Sequence, residues 1–288
     1  MSPNMTGALL MMASMAAFTA NDIFVKLTGG AVPLFQFLFL RGILSTLMVL
    51  GFARYLGALR FDLRRSDWII VAIRCVAEIA TAYFFLTALF HMPLANITAI
   101  LQILPLTVTL GAAIFFSEVI GWRRMIAIAI GFCGMLLIVR PGAEGFNVWS
   151  VYALCAMMCV TIRDLVTRQL SKDVPSMTVT FVVSFAVMAF SGLVTLTNPW
   201  VAISVPNLWM IVGSSFCILG GYFFSIQVMR AGDVGFIAPF RYVSLVFALL
   251  AGWFLFDEWP DTITLVGAAI VVGTGLFTLY RERHASRA

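Results

Sequence analysis

A chain of 288 residues that is 62% hydrophobic, 14% aromatic and only 11% charged falls far below the ~25% charged residues of a water-soluble domain. That composition excludes a soluble enzyme, a nucleic-acid-binding domain and a disordered protein, and the lack of any long polar stretch excludes a singly anchored one. The net charge of +5 comes mostly from basic residues between apolar runs, a pattern that reads as membrane topology and contact with lipid headgroups, with no nucleic-acid partner.

A membrane helix needs ~20 mostly apolar residues, and ten such runs follow one another along the chain. The first, 5–27, carries Asn21 and Asp22 near its end; it has no basic residue before it and reads as a span, not a removable signal peptide. The second, 33–54, holds Arg41 about a third of the way in. The third, 68–90, holds Arg74 and Glu78, four apart and so on one helical face, followed by Tyr83. The fourth, 94–116, contains Gln102 and Pro105, and the fifth, 121–139, the small-residue pair Ala127/Gly131. The sixth, 148–168, ends on Arg163 and Asp164. The seventh is 176–197; the eighth, 205–229, carries Tyr222 and Gln227. The ninth, 234–256, has Pro239, Arg241 and Tyr242 close together, and the tenth, 261–280, the pair Ala269/Gly273. The predicted class is an all-α integral membrane protein of ten transmembrane helices; a β-barrel would need ~10-residue alternating segments.

With the N-terminus in the cytoplasm, the tail and the even-numbered connections hold twelve Lys and Arg residues, and the outer connections only Lys26 and Arg140. Positive charge concentrates on the cytoplasmic side, so both termini are expected there. The second half also repeats the first. Asp22, Lys26 and Pro33 recur as Asp164, Arg168 and Pro175 at an offset of 142 residues, and Tyr83-Phe84-Phe85 recurs as Tyr222-Phe223-Phe224 at 139. At that same offset Gln102 meets Arg241 and Glu118 meets Asp257. Five spans per unit is odd, so the second unit, 141–288, enters the bilayer opposite to the first, 1–140. Inverted repeats of this kind are a transporter architecture, with solute held near the midplane between the halves.

The residues Tyr83-Phe84-Phe85, Pro93-Leu94-Ala95, Pro105-Leu106, Ser117-Glu118, Gly121-Trp122-Arg123-Arg124, Gly131-Phe132-Cys133-Gly134 and Arg140-Pro141-Gly142 form an ordered series. Pro239-Phe240-Arg241-Tyr242, Asp257-Glu258, Gly267 and Tyr280-Arg281-Glu282-Arg283 continue it. Through them the whole chain resembles the drug/metabolite transporter superfamily, in its ten-span form with two EamA-type repeats. The resemblance implies a basket-like bundle whose spans 1, 3, 4, 6, 8 and 9 line a central cavity, with spans 5 and 10 packed outside. The small residues of those two outer spans permit close helix contact, within the chain or across a homodimer; the protein is then a monomer or a homodimer.

Charged side chains at the bilayer centre are costly, ~2.5–3.5 kcal/mol on insertion scales, and usually face a bundle interior or a wet cavity. Arg241-Tyr242, just after Pro239, is the first candidate for solute contact: proline loosens the helix, and a guanidinium fork binds carboxylate or phosphate through two hydrogen bonds. The alternative is bonding to a neighbouring helix. Pro105 disturbs the corresponding region of the first half. Arg74 and Arg41 are further anchors, Glu78 either faces the solute or pairs with Arg74, and Gln102, Tyr83, Tyr222 and Gln227 shape the site. Asn21-Asp22 and Arg163-Asp164, equivalent in the two halves, are candidate gates or else solvated helix ends. If protons are coupled, Glu78 or Asp22 carries them.

Five cysteines and two histidines form no Cys-x-x-Cys or His-Glu-x-x-His pattern. Gly213-Ser214-Ser215 and Gly232-Asp233-Val234-Gly235 complete no protease motif, and no phosphate-binding Gly-x-x-x-x-Gly-Lys loop occurs. The sequence reads as a secondary active transporter of the bacterial inner membrane, without metal, cofactor or enzymatic activity. Its solute is expected to be a small polar metabolite, an amino acid or another anionic or zwitterionic compound. The alternative is uptake of a riboflavin-type vitamin, stacked on aromatic side chains; a non-transporting scaffold or an intramembrane enzyme is the rival from another class.

Overall fold

In lipid every backbone N–H and C=O must be satisfied within the protein, which leaves helices for apolar runs of this length. In a computed structural model of the chain, residues 3–55, 57, 59–117, 121–140, 147–171, 173–197, 199–228 and 237–285 are described, and among them the regular structure is all helical. The helices are α1 (Pro3–Leu27), α2 (Leu34–Tyr55), α3 (Arg65–His91), α4 (Leu94–Leu101), α5 (Leu104–Phe116), α6 (Trp122–Val139), α7 (Val148–Thr167), α8 (Ser176–Thr195) and α9 (Val205–Val228). After a 3₁₀ turn (Ala238–Tyr242) come α10 (Val243–Phe256) and α11 (Thr262–Ala285). Among the described residues eight segments are long and apolar enough to cross a membrane, with α4–α5 and the turn with α10 each counted once, and two shorter apolar helices are Met125–Val139 and Thr262–Thr278. Glu118, Pro141, Gly142, Lys172, Arg230, Gly232–Gly235 and Arg287 lie outside the described residues.

The fourth and ninth spans are interrupted. The fourth breaks at Gln102–Ile103, where the Gln102 N–H bonds to the carbonyls of Thr98 and Ala99. Pro105 then stands in the first turn of α5, where a helix has no internal partner for its N–H in any case. The ninth begins as the tight turn that contains Pro239 and straightens at Val243.

Each span of the first half packs on a span of the second. Helix α1 lies along α9, α2 along α8, α3 along α7 and α6 along α11, while α4 meets α10. The contacts run antiparallel: Ser14 bonds to Gly221 and Asn21 to Ser214, and His91 stacks on Trp149 while Asp67 holds Ser171. The α6–α11 seam needs glycine. A Cβ on Gly134 would stand 2.8 Å from Ile270 Cγ2, and one on Gly267 only 2.6 Å from the Gly134 carbonyl. Of the small residues expected to permit close contact, Gly131 joins this seam, against Leu106 and Thr274; Ala269 and Gly273 are exposed, and nothing lies within 4 Å of a Cβ built on Gly273.

The core gathers around α4 and the start of α5, where Leu94, Ile97 and Ile100 of α4, Ile103 of the break and Leu106 of α5 are fully buried. Large apolar side chains on the outward faces, such as Leu47, Val76, Phe115 and Trp209, are exposed, as lipid-facing positions are.

Candidate functional site

A cavity of about 80 Å³ opens between α2, α3, α8 and α9. Its polar lining is Arg41, Ser45, Glu78, Ser184 and Tyr222, set among Leu38, Ala82, Val187 and Leu219. Arg41, Glu78 and Tyr222 each stand at least six residues from either end of their helices, ~9 Å by helical rise. The lining differs from that implied by the resemblance: spans 2, 3, 7 and 8 form it, because the apolar side chains of α4 fill the middle of the bundle.

On one side of the cavity, an Arg41 guanidinium N–H donates to Asn21 Oδ1 at 3.2 Å, and the guanidinium lies 5.7 Å from the centre of the Phe37 ring. Asn21 is buried; its Oδ1 also accepts from the Ser214 hydroxyl at 2.7 Å, and its Nδ2 donates to Asp22 Oδ1 at 2.9 Å. On the other side, Arg163 of α7 pairs with Glu78 at 3.3 Å and with its neighbour Asp164 at 2.8 Å. Arg74 donates to the Thr167 hydroxyl, so Glu78 has its partner across the α3–α7 contact and not one turn away on its own helix. Tyr222, edge-on to Phe18 at 5.5 Å, lies within electrostatic reach of Glu78, Arg163, Arg74 and Arg41. Three arginines and three carboxylates therefore share one band across the bundle, and their formal charges cancel.

Arg241, Tyr242 and Gln102 are brought together elsewhere. The Gln102 amide donates to the Ser244 hydroxyl at 2.6 Å, which in turn donates to the Arg241 carbonyl at 3.0 Å. Tyr242 is buried and its hydroxyl lies against Gly275 of α11. None of the three is among the residues lining the cavity. Gln227 is half-buried near the end of α9, five residues past Tyr222. Tyr83 belongs to a ring cluster, 6.0 Å from both Phe35 and Tyr152, with Phe84 at 5.3 Å.

Beyond the cavity, ion pairs and hydrogen bonds tie the two halves of the chain together at the Lys26 end of the bundle. The Lys26 ammonium donates to both Glu258 oxygens at 2.7 Å and to the Met92 carbonyl at 2.6 Å, while the Leu94 N–H donates to the same carboxylate. Asp257, in the left-handed region at φ 54°, turns the chain so that the Glu258 N–H caps α10 on the Gly252 carbonyl. Arg140, the other cation of this end, pairs with Asp261. The Thr264 backbone N–H holds the Asp261 carboxyl below the usual carboxylate range, and Arg140 adds to this. Sequence reasoning gave Lys26 and Arg140 no bonding partner, overlooked Ser45 and Ser184, and weighed Ser214 only within a protease motif. Small hydroxyls inside apolar runs were the available signal.

The sequence model of the EamA-like transporter family matches residues 5–140 and again 147–280. The S-adenosylmethionine uptake transporter of Rickettsia conorii is 28% identical over 98% of this chain and 95% of its own. A riboflavin transporter of Vibrio cholerae is 26% identical over 85% and 82%, and the pseudopaline exporter of Pseudomonas aeruginosa 25% identical over 93% of each chain. One solved crystal structure superposes with a TM-score of 0.69 over 96% of this chain and 97% of its own, at 17% identity, a likeness of fold alone. With nearly the whole chain covered in two successive matches, the protein belongs to the EamA-like transporter family.

Proposed function

We propose that the protein is a secondary transporter that carries a small zwitterionic or anionic metabolite, of the amino-acid kind, by alternating access through the cavity between α2, α3, α8 and α9. One observation carries this reading: Arg41 and Glu78 line the same cavity. A guanidinium there suits a carboxylate, and a carboxylate suits an ammonium. Arg41, in this reading, takes the anchoring role first expected of Arg241. The cavity, at about 80 Å³, is smaller than the ~300–1,000 Å³ of occupied ligand pockets, so solute enters only when helices part.

The pairing of spans supports an inverted repeat of 1–140 and 141–288. Exchanging the halves turns α1–α9 into α7–α3 and leaves the α2–α8, α6–α11 and α4–α10 pairs as they are. The C-caps of α5 and α10, Ser117 and Asp257, share a left-handed φ of 54°. In this reading Asn21-Asp22 and Arg163-Asp164 are the two gating clusters, Glu78 or Asp22 is the proton carrier, and both termini face the cytoplasm of the bacterial inner membrane.

The test is uptake by purified protein in liposomes, with and without a pH gradient, across the amino acids, S-adenosylmethionine and riboflavin. A hydrogen bond to a charged group is worth ~1.5–3 kcal/mol, so Arg41→Ala should cut uptake of the transported solute about 10–100-fold. Unchanged uptake in that variant removes the reading. A second reading, a larger ring-bearing metabolite, is favoured by the Phe35, Tyr83, Phe84 and Tyr152 cluster and by the similarity to S-adenosylmethionine and riboflavin transporters; the same panel separates the two.

A further inference from the structure

Asn21, itself buried, stands between two half-buried charges. Its amide has a donor side and an acceptor side, and its neighbours fix which is which: a guanidinium only donates and a carboxylate only accepts. Oδ1 therefore faces Arg41 and Nδ2 faces Asp22, as the 3.2 Å and 2.9 Å hydrogen bonds have it. The Ser214 hydroxyl of α9, itself fully buried, holds the same Oδ1 at 2.7 Å from a third helix. Arg41 and Asp22 feel one another electrostatically, yet among the described residues no ion pair joins Arg41 to a carboxylate. In an apolar interior, opposite charges this near attract strongly, so something must keep them apart.

We propose that Asn21 is a positioning residue that insulates Arg41 from Asp22, so that the guanidinium stays turned to the cavity and available to an anionic group. The inference rests on the proposed role of Arg41 in solute binding, and it adds the device that keeps Arg41 unspent. Without the amide, Arg41 collapses onto Asp22 and the anchor is consumed by an internal salt bridge. The loss is then not one of stability alone, and removing the competing carboxylate reverses it.

The test labels full-length protein in liposomes with methylglyoxal, a small dicarbonyl that condenses with guanidines, and follows the modification of Arg41 by mass spectrometry. Pairing with a carboxylate holds a guanidinium in its protonated, unreactive form. Wild type is expected to label at Arg41. Asn21→Ala should label at least fivefold more slowly, and Asn21→Ala/Asp22→Asn should return to within twofold of wild type. Ser214→Ala, a milder change that frees one side of the amide, should slow labelling in the same direction if Asn21→Ala does not fold. A wild-type rate in both Asn21→Ala and Ser214→Ala, no recovery in the double variant, or no labelling of wild-type Arg41 overturns the proposal. Labelling needs no transported solute, so an empty solute panel and a failed insulator are separate results.

Discussion

Arg41 and Arg241 are the same residue type at similar depths of two apolar spans, and their surroundings set them apart. Arg41 lines a cavity with Glu78 and Tyr222; Arg241 sits in a 3₁₀ turn whose carbonyl is taken by Ser244. Sequence alone supplied the short roster of intramembrane charges but not their facing, because helix rotation depends on neighbours far along the chain. Lys26 illustrates the same gap: 232 residues separate it from Glu258, and no local pattern links them. The Lys26 side chain is 9% exposed and that of Glu258 27%, so the pair is more than a surface contact. A double-mutant cycle of Lys26→Ala and Glu258→Ala, read from thermal or denaturant unfolding in detergent, should give a coupling energy of about 0.5–3 kcal/mol. Additive losses would mean that the two side chains stabilise the bundle separately. Glu78 offers a further check: Glu78→Gln keeps the shape and loses the charge, and transport of a zwitterion should fall more steeply than that of a purely anionic analogue.

At the scale of elements, the ends of the helices follow the sequence closely, because the length of an apolar run and the charges that bound it are local properties. The run predicted at 94–116 is the exception in form: it spans the right residues as two helices, α4 and α5. Pro105 signalled a disturbance, and the break falls three residues before it, since a proline fits the first turn of a new helix, where its missing N–H costs no bond. The α6–α11 seam was legible only in part, as small residues reveal a capacity for close contact but not which of them meet. Gly134→Leu should be strongly destabilising, by at least the ~1–3 kcal/mol typical of overpacked contacts, whereas Gly273→Leu, facing open space, should be neutral in the same melting assay. The start of α11 depends on Asp261. Its carboxyl is held low, so its contribution is complete above the ordinary carboxylate pKa of ~3.9 and fades as pH falls through the lower folded value. Asp261→Ala should cost about 0.5–2 kcal/mol, the usual worth of an N-cap, at neutral pH and nothing in strong acid.

At the scale of the whole molecule, the recurrence of short motifs at offsets of 139 and 142 residues was the most far-reaching signal in the sequence, and it came without any hint of which spans touch. Register across a bundle is set by side-chain fit, and a single sequence carries no record of that. The pairing in the structure is fully reciprocal: α1, α2, α3, α4 and α6 each find a principal partner in the other half of the chain. Neither half then completes its own interior. Residues 1–140 expressed alone should be degraded or aggregate, and co-expression with 141–288 as a separate polypeptide should recover a complex that survives detergent extraction. A stable, monodisperse first half by size-exclusion chromatography would contradict this.

The reciprocal pairing also bears on biogenesis. During synthesis the first five spans emerge from the ribosome well before their partners exist, and Asp22, Arg41, Arg74 and Glu78 arrive in the bilayer before Arg163, Asp164 and Ser214 can cover them. The nascent protein must shelter those charges in the translocon or under a membrane chaperone until the last spans are made. Its vulnerable moment is therefore a half-finished chain, and slowing translation near the midpoint should lower the yield of folded protein more than slowing it at either end.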